Sequence, residues 1–285
     1  MFRKSIKDEY MLQDTLSITM ELQLPTFDEE EIKDEIQKPK VSKGKILILS
    51  LIAIISFIFI YGVIWINDSY EGLELSTKAL ISNDEVEVNI SNNRIVFNPI
   101  QEDVTKALIL LQGAKVDAKA YSPLARELAN RGYKVILLNN DLNLPLVNEE
   151  IISSIISNNP KINDWVIGGH SLGGVVASSL INKNSNLDGL LLLASYPSGN
   201  ELKYTDRDVM SIWGSKDGVL NFERFAKAKE DLPKSTQFVE IEGANHSQFG
   251  DYGLQNGDNE ALITSEEQLQ ITVDSIIELF DSIKN

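Results

Sequence analysis

The stretch WVIGGHSLGGVVA, residues 165–177, places Ser171 among glycines, directly after one apolar run and directly before another. The pentapeptide GHSLG matches the pattern G-x-S-x-G, in which a strained turn between a strand and a helix exposes the serine hydroxyl. Glycines at both ends lack a Cβ, so the strand and the helix can approach closely around the serine. The stretch therefore predicts a strand–turn–helix unit and makes Ser171 a candidate nucleophile.

Apolar runs and helical patterns alternate on both sides of this unit. The predicted strands are 85–90, 94–99, 107–113, 133–139, 164–169, 188–195, 208–215 and 236–243. The predicted helices are 122–132, 148–157, 172–183, 221–232 and 265–283. Strands that alternate with helices favour a mostly parallel sheet covered by helices on both faces. The sequence thus predicts an α/β domain over residues 85–285, with its ligand site beyond the carboxyl ends of the strands.

A long apolar segment precedes this domain. The 21 residues from Ile46 to Ile66 carry no charge, which is enough to cross a hydrocarbon core of about 30 Å as a helix. A cleavable signal peptide is disfavoured, because the run is longer than an h-region, begins far from the N-terminus and lacks a small-residue cleavage motif. We expect residues 46–66 to form a transmembrane helix and residues 67–84 to form a linker.

The charges that flank this segment predict its orientation. Lysines 38, 40, 43 and 45 precede the span, whereas Asp68, Glu71 and Glu74 follow it. The positive-inside rule then leaves the acidic and polar segment 1–44 in the cytoplasm and sends the α/β domain across the membrane. The expected location is the cell membrane, with a single span.

Composition excludes several kinds of chemistry. The chain of 285 residues has 26 Lys+Arg, 42 Asp+Glu and a net charge of -16, which argues against nucleic acid as a partner because phosphate binding needs basic side chains. It has no cysteine and two histidines, so neither a thiolate nucleophile nor a Cys- or His-rich metal site is expected. We expect no metal and no organic cofactor.

A serine nucleophile needs a base that is itself oriented by an acid. His170 is next to Ser171 in the turn and its side chain should point away, so His246 is the candidate base by elimination. Asp217 lies in the turn after strand 208–215 and is the candidate acid. The simpler alternatives are a surface histidine and an Asp-Gly turn. Three acidic residues, Asp188, Asp206 and Asp208, lie at the wrong edge of the predicted sheet.

The oxyanion of a tetrahedral intermediate needs two fixed N–H donors. One should be the backbone of Leu172, at the start of a helix where the dipole helps. The other should come from the loop after strand 107–113, with Ala114 as the first choice and Lys115 as the second.

With these residues in place the chain resembles the α/β-hydrolase superfamily, in particular small, often membrane-anchored bacterial proteins described as dienelactone-hydrolase-like. The resemblance spans residues 108–280 and rests on LLQGAKVDAKAYSPLARELANRGY, GGHSLGG, WGSKDG and NHSQFGDYGLQNGD. It implies the roles of nucleophile, acid and base for Ser171, Asp217 and His246. Dienelactone hydrolases proper use a cysteine nucleophile, which this chain lacks, so their substrate is not carried over.

Many members of that superfamily insert a helical cap between the strands that correspond to 188–195 and 208–215. Here only YPSGNELKYTDR, residues 196–207, joins these two strands. The segment is too short for a lid and predicts an open, shallow pocket. Such a pocket suits a bulky or surface-attached ester or acyl substrate.

The sequence therefore predicts a membrane-anchored serine hydrolase, most simply a carboxylic-ester hydrolase that works through an acyl-enzyme. An acyltransferase with the same triad is an alternative, since the covalent intermediate is shared. A non-catalytic binding protein on a hydrolase scaffold is another, because a fold does not imply a function. The pattern leaves the acyl chain, the alcohol and the oligomeric state open.

Overall fold

A computed structural model of the chain describes residues 42–139 and 142–283. Residues 1–41 of the predicted cytoplasmic segment 1–44 lie outside the described residues. The chain divides into two units, residues 1–58 and 59–285, and the second contains the whole α/β domain.

The first helix, α1, comprises Lys43–Asn67. Its 25 residues correspond to about 38 Å of helix, more than the hydrocarbon thickness of a bilayer. The stretch Lys43–Trp65 is long and apolar enough to cross a membrane, and none of it is buried in the structure. The predicted helix over residues 46–66 is therefore confirmed as a candidate membrane span.

Eight strands form one sheet in the order β1-β2-β4-β3-β5-β6-β7-β8. Their bounds are Val86–Ser91 (β1), Arg94–Pro99 (β2), Lys106–Leu111 (β3), Lys134–Leu138 (β4), Asp164–His170 (β5), Gly189–Leu193 (β6), Asp208–Gly214 (β7) and Gln237–Ile241 (β8). The first two strands pair antiparallel with their neighbours, and the remaining pairs are parallel. The predicted, mostly parallel sheet is confirmed.

Helices connect and cover the strands. They are Glu74–Ala79 (α2), Ser122–Asn130 (α3), Glu149–Ser157 (α4), Leu172–Leu180 (α5), Phe222–Ala228 (α6) and Ser265–Ser282 (α7). Short 3₁₀ helices occupy Ala118–Tyr121, Ile181–Lys183, Lys229–Asp231 and Ser247–Phe249. Two of these, at 181–183 and 229–231, complete helices that the sequence predicts as longer α-helices.

The core lies on both faces of the sheet, because the central strands are apolar at most of their positions. In β3, Leu108 and Leu110 belong to one buried cluster, together with residues of α3 and α7. Ile109 and Leu111 belong to a second cluster, which includes residues of α4 and α5. A continuous apolar run is typical of a parallel strand buried on both faces. This arrangement holds the carboxyl ends of β3, β5, β7 and β8 along one edge.

The structure differs from the prediction in residues 67–84. This segment was expected to be a linker, yet it contains α2, whose Ser76 is buried. Helix α2 has only six residues, too few for an apolar periodicity to be visible in the sequence. Between β6 and β7, residues 194–207 contain turns and no helix, which agrees with the expected absence of a sizeable cap.

Candidate active site

Ser171 lies in the turn between β5 and α5, with φ 53° and ψ −121°. A non-glycine residue in this region is strained and needs support from its surroundings. Its N–H donates to the carbonyl of Leu193 at 2.9 Å, and its carbonyl accepts from Ser195 Oγ at 2.7 Å. The end of β6 therefore supports this strained turn.

Glycines make the turn possible. A Cβ on Gly169 would overlap the backbone of Gly173, and a Cβ on Gly173 would overlap the carbonyls of Leu111 and Gln112. The obstructing atoms are backbone, so they cannot move aside as a flexible side chain could. The close approach expected from the G-x-S-x-G pattern is thus present between β5, α5 and the end of β3.

His246 and Asp217 form a buried pair. The distance from His246 Nδ1 to Asp217 Oδ2 is 2.8 Å, and the two residues are 1% and 5% exposed. The other oxygen of the carboxylate, Oδ1, accepts from the N–H groups of Val219 at 2.8 Å and Leu220 at 2.7 Å. Three hydrogen bonds therefore fix the carboxylate, and the carboxylate fixes the imidazole.

The second nitrogen of this imidazole is free. His246 Nε2 has no hydrogen-bond partner within residues 42–139 and 142–283, so no hydrogen bond joins it to Ser171. Both residues line one pocket of about 230 Å³. The other lining residues are Leu172, Val175, Ala194, Ser195, Tyr196, Val219, Leu220 and Asn221. Since hydrogen bonds between nucleophile and base are often long before substrate binds, the arrangement is compatible with general-base chemistry.

The candidate oxyanion donors differ in their environment. Leu172 is the first residue of α5, so its N–H has no partner within the helix, and it lines the pocket. The N–H of Ala114 carries no hydrogen bond in the part of the chain that the structure describes, but Ala114 does not line the pocket. Lys115, the second choice, donates its N–H to Asn143 at 2.7 Å. That N–H is already used, which leaves Ala114 as the candidate of the two.

His170 was set aside as a base, and the structure gives it a different environment. It is fully buried, and its Nδ1 lies 2.8 Å from the Tyr121 hydroxyl. That hydroxyl accepts from the N–H of Gly113 at 2.9 Å, so its own proton is available to donate to His170 Nδ1. Burial, and secondarily the nearby His246, holds the pKa of His170 well below its usual value. His170 is therefore neutral at pH 7.

These contacts join the loop after β3 to the turn after β5. The His170 ring also lies 4.4 Å, centroid to centroid, from the His246 ring. Tyr121 and His170 thus pack behind the candidate base. Sequence reasoning gave no role to Tyr121, which lies within LLQGAKVDAKAYSPLARELANRGY but carries no local signal for a partner 49 positions away.

Asp258 is a second residue that sequence reasoning missed. Its Oδ1 accepts from the N–H of Gly218 at 2.9 Å. Its Oδ2 accepts from Ser247, through the N–H at 2.8 Å and Oγ at 2.6 Å. Gly218 follows Asp217 and Ser247 follows His246, so Asp258 joins the two loops that carry the buried pair.

Among the residues that the structure describes, no group of three or more His, Asp or Glu side chains could hold a metal ion.

Comparisons with known proteins agree with this architecture. A family model described as "Alpha/beta hydrolase family" matches residues 107–270, more than half of the chain. A solved structure, a predicted CIB-like hydrolase from Thermoplasma acidophilum, is similar with a TM-score of 0.50 and 18% identity, over 68% of this chain and 97% of that one. At this identity the likeness concerns the fold alone.

A curated relative matches over a short segment. The "Putative pyruvate, phosphate dikinase regulatory protein" of Pelagibacter ubique is 44% identical over 62 residues, 22% of this chain. The match spans only about a fifth of that protein's length, 20%, and we transfer no function from it.

Proposed function

The chain belongs to the alpha/beta hydrolase family, and from this premise we propose that it is a serine hydrolase of carboxylic esters. The observation that carries the proposal is the His246–Asp217 pair, 2.8 Å between Nδ1 and Oδ2, whose histidine lines one pocket together with Ser171 and has no partner for Nε2 among the described residues. A surface histidine, the simpler alternative, would not be 1% exposed and bonded to a buried carboxylate.

The proposed reaction follows from these positions. His246 Nε2 removes the proton from Ser171 Oγ, which attacks the ester carbonyl carbon. The negative charge that develops on the carbonyl oxygen is stabilised by the N–H of Leu172 and a second donor, for which Ala114 is the candidate. The tetrahedral intermediate collapses, the alcohol leaves with the proton from His246, and an acyl-enzyme remains.

Water completes the cycle. His246 removes a proton from a water molecule, which attacks the acyl-enzyme; the carboxylic acid then leaves and Ser171 recovers its proton. Asp217 holds Nδ1–H throughout and stabilises the imidazolium that forms in each half of the reaction. No step needs a metal or an organic cofactor.

We further propose that α1 anchors the enzyme in the cell membrane. The helix has the length and composition for one span. Lysines precede it and Asp68, Glu71 and Glu74 follow it, which favours a cytoplasmic N-terminus and an extracytoplasmic hydrolase domain.

The first prediction concerns the nucleophile. The full-length protein in detergent should react with a fluorophosphonate probe, and Ser171→Ala should abolish the labelling, because only an activated serine attacks this phosphorus. Ser179→Ala is the matched control: Ser179 is exposed on the same helix, α5, and its hydroxyl bonds only the local carbonyl of Val176. Labelling is read by fluorescence after gel electrophoresis.

A second measurement tests His246 as the general base. His246→Ala should lower turnover of a nitrophenyl ester by about a thousandfold or more, as loss of a triad member does in other serine hydrolases. Equal labelling of Ser171→Ala and the wild type would contradict the assignment of the nucleophile. A wild-type protein that neither labels nor turns over esters would favour the non-catalytic alternative.

A further inference from the structure

The segment that follows α1 crosses the edge of the sheet where the candidate site lies. We call residues 68–79 the strap. Tyr70 of the strap forms a parallel bridge with Val116: its N–H donates to Lys115 at 2.7 Å and its carbonyl accepts from Asp117 at 2.9 Å. The bridge fixes the strap to the loop after β3, which carries Ala114.

The strap is also bonded to the loop after β8, which carries His246. The N–H of Leu73 donates to the carbonyl of Asp251 at 2.9 Å, and the N–H of Ser76 donates to Asp251 Oδ2 at 2.7 Å. The hydroxyl of Tyr70 accepts from the N–H of Asn256 at 3.0 Å. The strap therefore contacts two loops at the carboxyl edge, on which Ser171 also lies.

The connection between α1 and this edge is short. Only Asp68 and Ser69 separate Asn67, the last residue of α1, from Tyr70. Three Cα–Cα steps span at most about 11 Å, whereas the polar layer of each leaflet is about 5–8 Å thick. If α1 spans the membrane, the strap holds the carboxyl edge of the sheet at the membrane surface.

Exposed apolar side chains lie on the same edge. Leu73 and Leu75 of the strap are 49% and 55% exposed, and Leu254 in the loop after β8 is 52% exposed. A Cβ on Gly253 would lie 3.9 Å from Leu73 Cδ1, so the strap leucine and the loop that carries Leu254 are neighbours. Side chains of this kind, next to a membrane span, fit the boundary between headgroups and acyl chains.

The charge of the strap restricts the kind of lipid. Asp68, Glu71 and Glu74 are exposed acidic residues directly after the span. Glu74 pairs with Lys78 of the strap at 2.6 Å and Asp68 with Lys115 at 3.1 Å, and the strap keeps more acidic than basic side chains. The acidic residues would repel anionic headgroups, because like charges close to a membrane surface are disfavoured. A neutral or zwitterionic lipid is the compatible partner.

We propose that the substrate is an ester of a membrane lipid with a neutral or zwitterionic headgroup, brought to Ser171 at the membrane surface by the strap. This inference rests on the proposed function. The acyl group passes from the lipid oxygen to Ser171 Oγ, the deacylated lipid leaves with a proton from His246, and water then releases the fatty acid. The open connection at residues 194–207 leaves room for a bulky lipid.

The test lengthens the connection without altering the site. The full-length protein and a variant with twelve flexible Gly/Ser residues inserted between Asn67 and Asp68 are reconstituted in phosphatidylcholine vesicles that contain a fluorogenic phosphatidylcholine ester. The insert adds a flexible spacer of roughly 20 Å, so the edge is no longer held at the surface. The rate on the lipid ester should fall about tenfold, and the rate on nitrophenyl acetate in solution should not change.

Substitution of the exposed leucines gives a second measurement. In the double variant Leu73→Ser, Leu254→Ser, the ratio of the lipid-ester rate to the nitrophenyl acetate rate should fall severalfold. Ile100→Ser is the control, since Ile100 is 56% exposed but follows β2 at the opposite edge of the sheet. That control should leave the ratio unchanged.

The outcomes separate the two proposals. An unchanged ratio in the insertion variant, or a wild type that hydrolyses nitrophenyl acetate but not the lipid ester, would overturn the lipid inference alone. A wild type that hydrolyses neither ester would overturn the proposed function and the lipid inference with it.

Discussion

Two histidines lie side by side at the candidate site, His246 in the lining of the pocket and His170 behind it, and they have different hydrogen-bond partners. His246 is bonded to the carboxylate of Asp217 through Nδ1, and the proposed mechanism gives it the role of general base. His170 is bonded to the Tyr121 hydroxyl and has no carboxylate partner among the described residues. Its burial and its neighbour both disfavour a second charge. His170 therefore stays neutral beside the candidate base.

This difference predicts a pH dependence of stability. The pKa of His170 is lower in the folded protein than in the unfolded chain, where it is about 6.5. Its contribution to the free energy of unfolding is thus complete above pH 6.5 and is lost as the pH falls below that value, by up to about 1.4 kcal/mol per pH unit. Thermal unfolding of the wild type should shift to lower temperature between pH 7 and pH 5, and His170→Gln should show a smaller shift.

The measurement compares how far the unfolding temperature of each protein shifts between pH 7 and pH 5. An overall loss of stability in His170→Gln therefore does not affect the comparison. Both proteins retain His246 and all carboxylates. Identical shifts in the two proteins would contradict a neutral His170.

Local patterns predicted some of these residues and not others. Ser171 stands in a recognisable pentapeptide, and the scarcity of histidine left His246 as the remaining choice. Asp258 and Tyr121 act through loops that meet only in the folded chain: Asp258 bonds Gly218 from 40 positions away. Such pairs depend on how loops are brought together, which neither spacing nor composition reports.

Among the elements, the β5–turn–α5 unit requires glycines, because a Cβ at their positions would overlap neighbouring atoms. Gly169 faces the backbone of Gly173, and Gly174 faces the side chain of Ser195. Each added methyl would push the strand and the helix apart. Since Ser171 is held in a strained conformation by these same neighbours, the geometry of the turn and its stability are coupled.

Gly169→Ala should therefore be strongly destabilising. We expect the free energy of unfolding to fall by about 3 kcal/mol or more, because the overlap is with backbone that cannot yield. Urea unfolding of the full-length protein in detergent measures this fall. Gly199→Ala is the matched control: a Cβ there meets only the end of the flexible Glu201 side chain, and its effect should be within about 0.5 kcal/mol.

The positions of strands and helices were predictable where many consecutive residues are buried, because such segments have a recognisable apolar pattern. Strands β3, β4 and β6 are apolar after their first residue, so their sequence is distinctive. Helix α2 is different, because Leu75 is exposed and the side chain of the N-cap residue, Leu73, makes no hydrogen bond to the helix. Its first turn is completed by Asp251, which accepts from Ser76 N–H at a separation of 175 positions. A helix capped from so far away leaves no trace in its own sequence.

For the molecule as a whole, this capping contact joins the N-terminal strap to a loop near the end of the chain. Asp251→Ala should remove the acceptor of the Ser76 N–H, a loss of about 1–2 kcal/mol at a partly buried position. Amide hydrogen exchange over residues 73–79 should become faster in the full-length protein. Asp251→Asn, which retains a side-chain oxygen, should preserve most of the protection.

If exchange in residues 73–79 is equally slow in Asp251→Ala and the wild type, the carboxylate does not hold the strap.

The strand order and the attachment of the strap could not be predicted from the sequence, since both are long-range pairings. The parallel character of the sheet could, because alternating strands and helices permit few other arrangements.

The uncovered connection between β6 and β7 has a kinetic consequence. With no helix over residues 194–207, this connection supplies no cover that must open before the products of the proposed reaction diffuse away. A cycle at Ser171 would then be timed by the making and breaking of bonds to the acyl group, and not by the gating motions that limit many lidded enzymes.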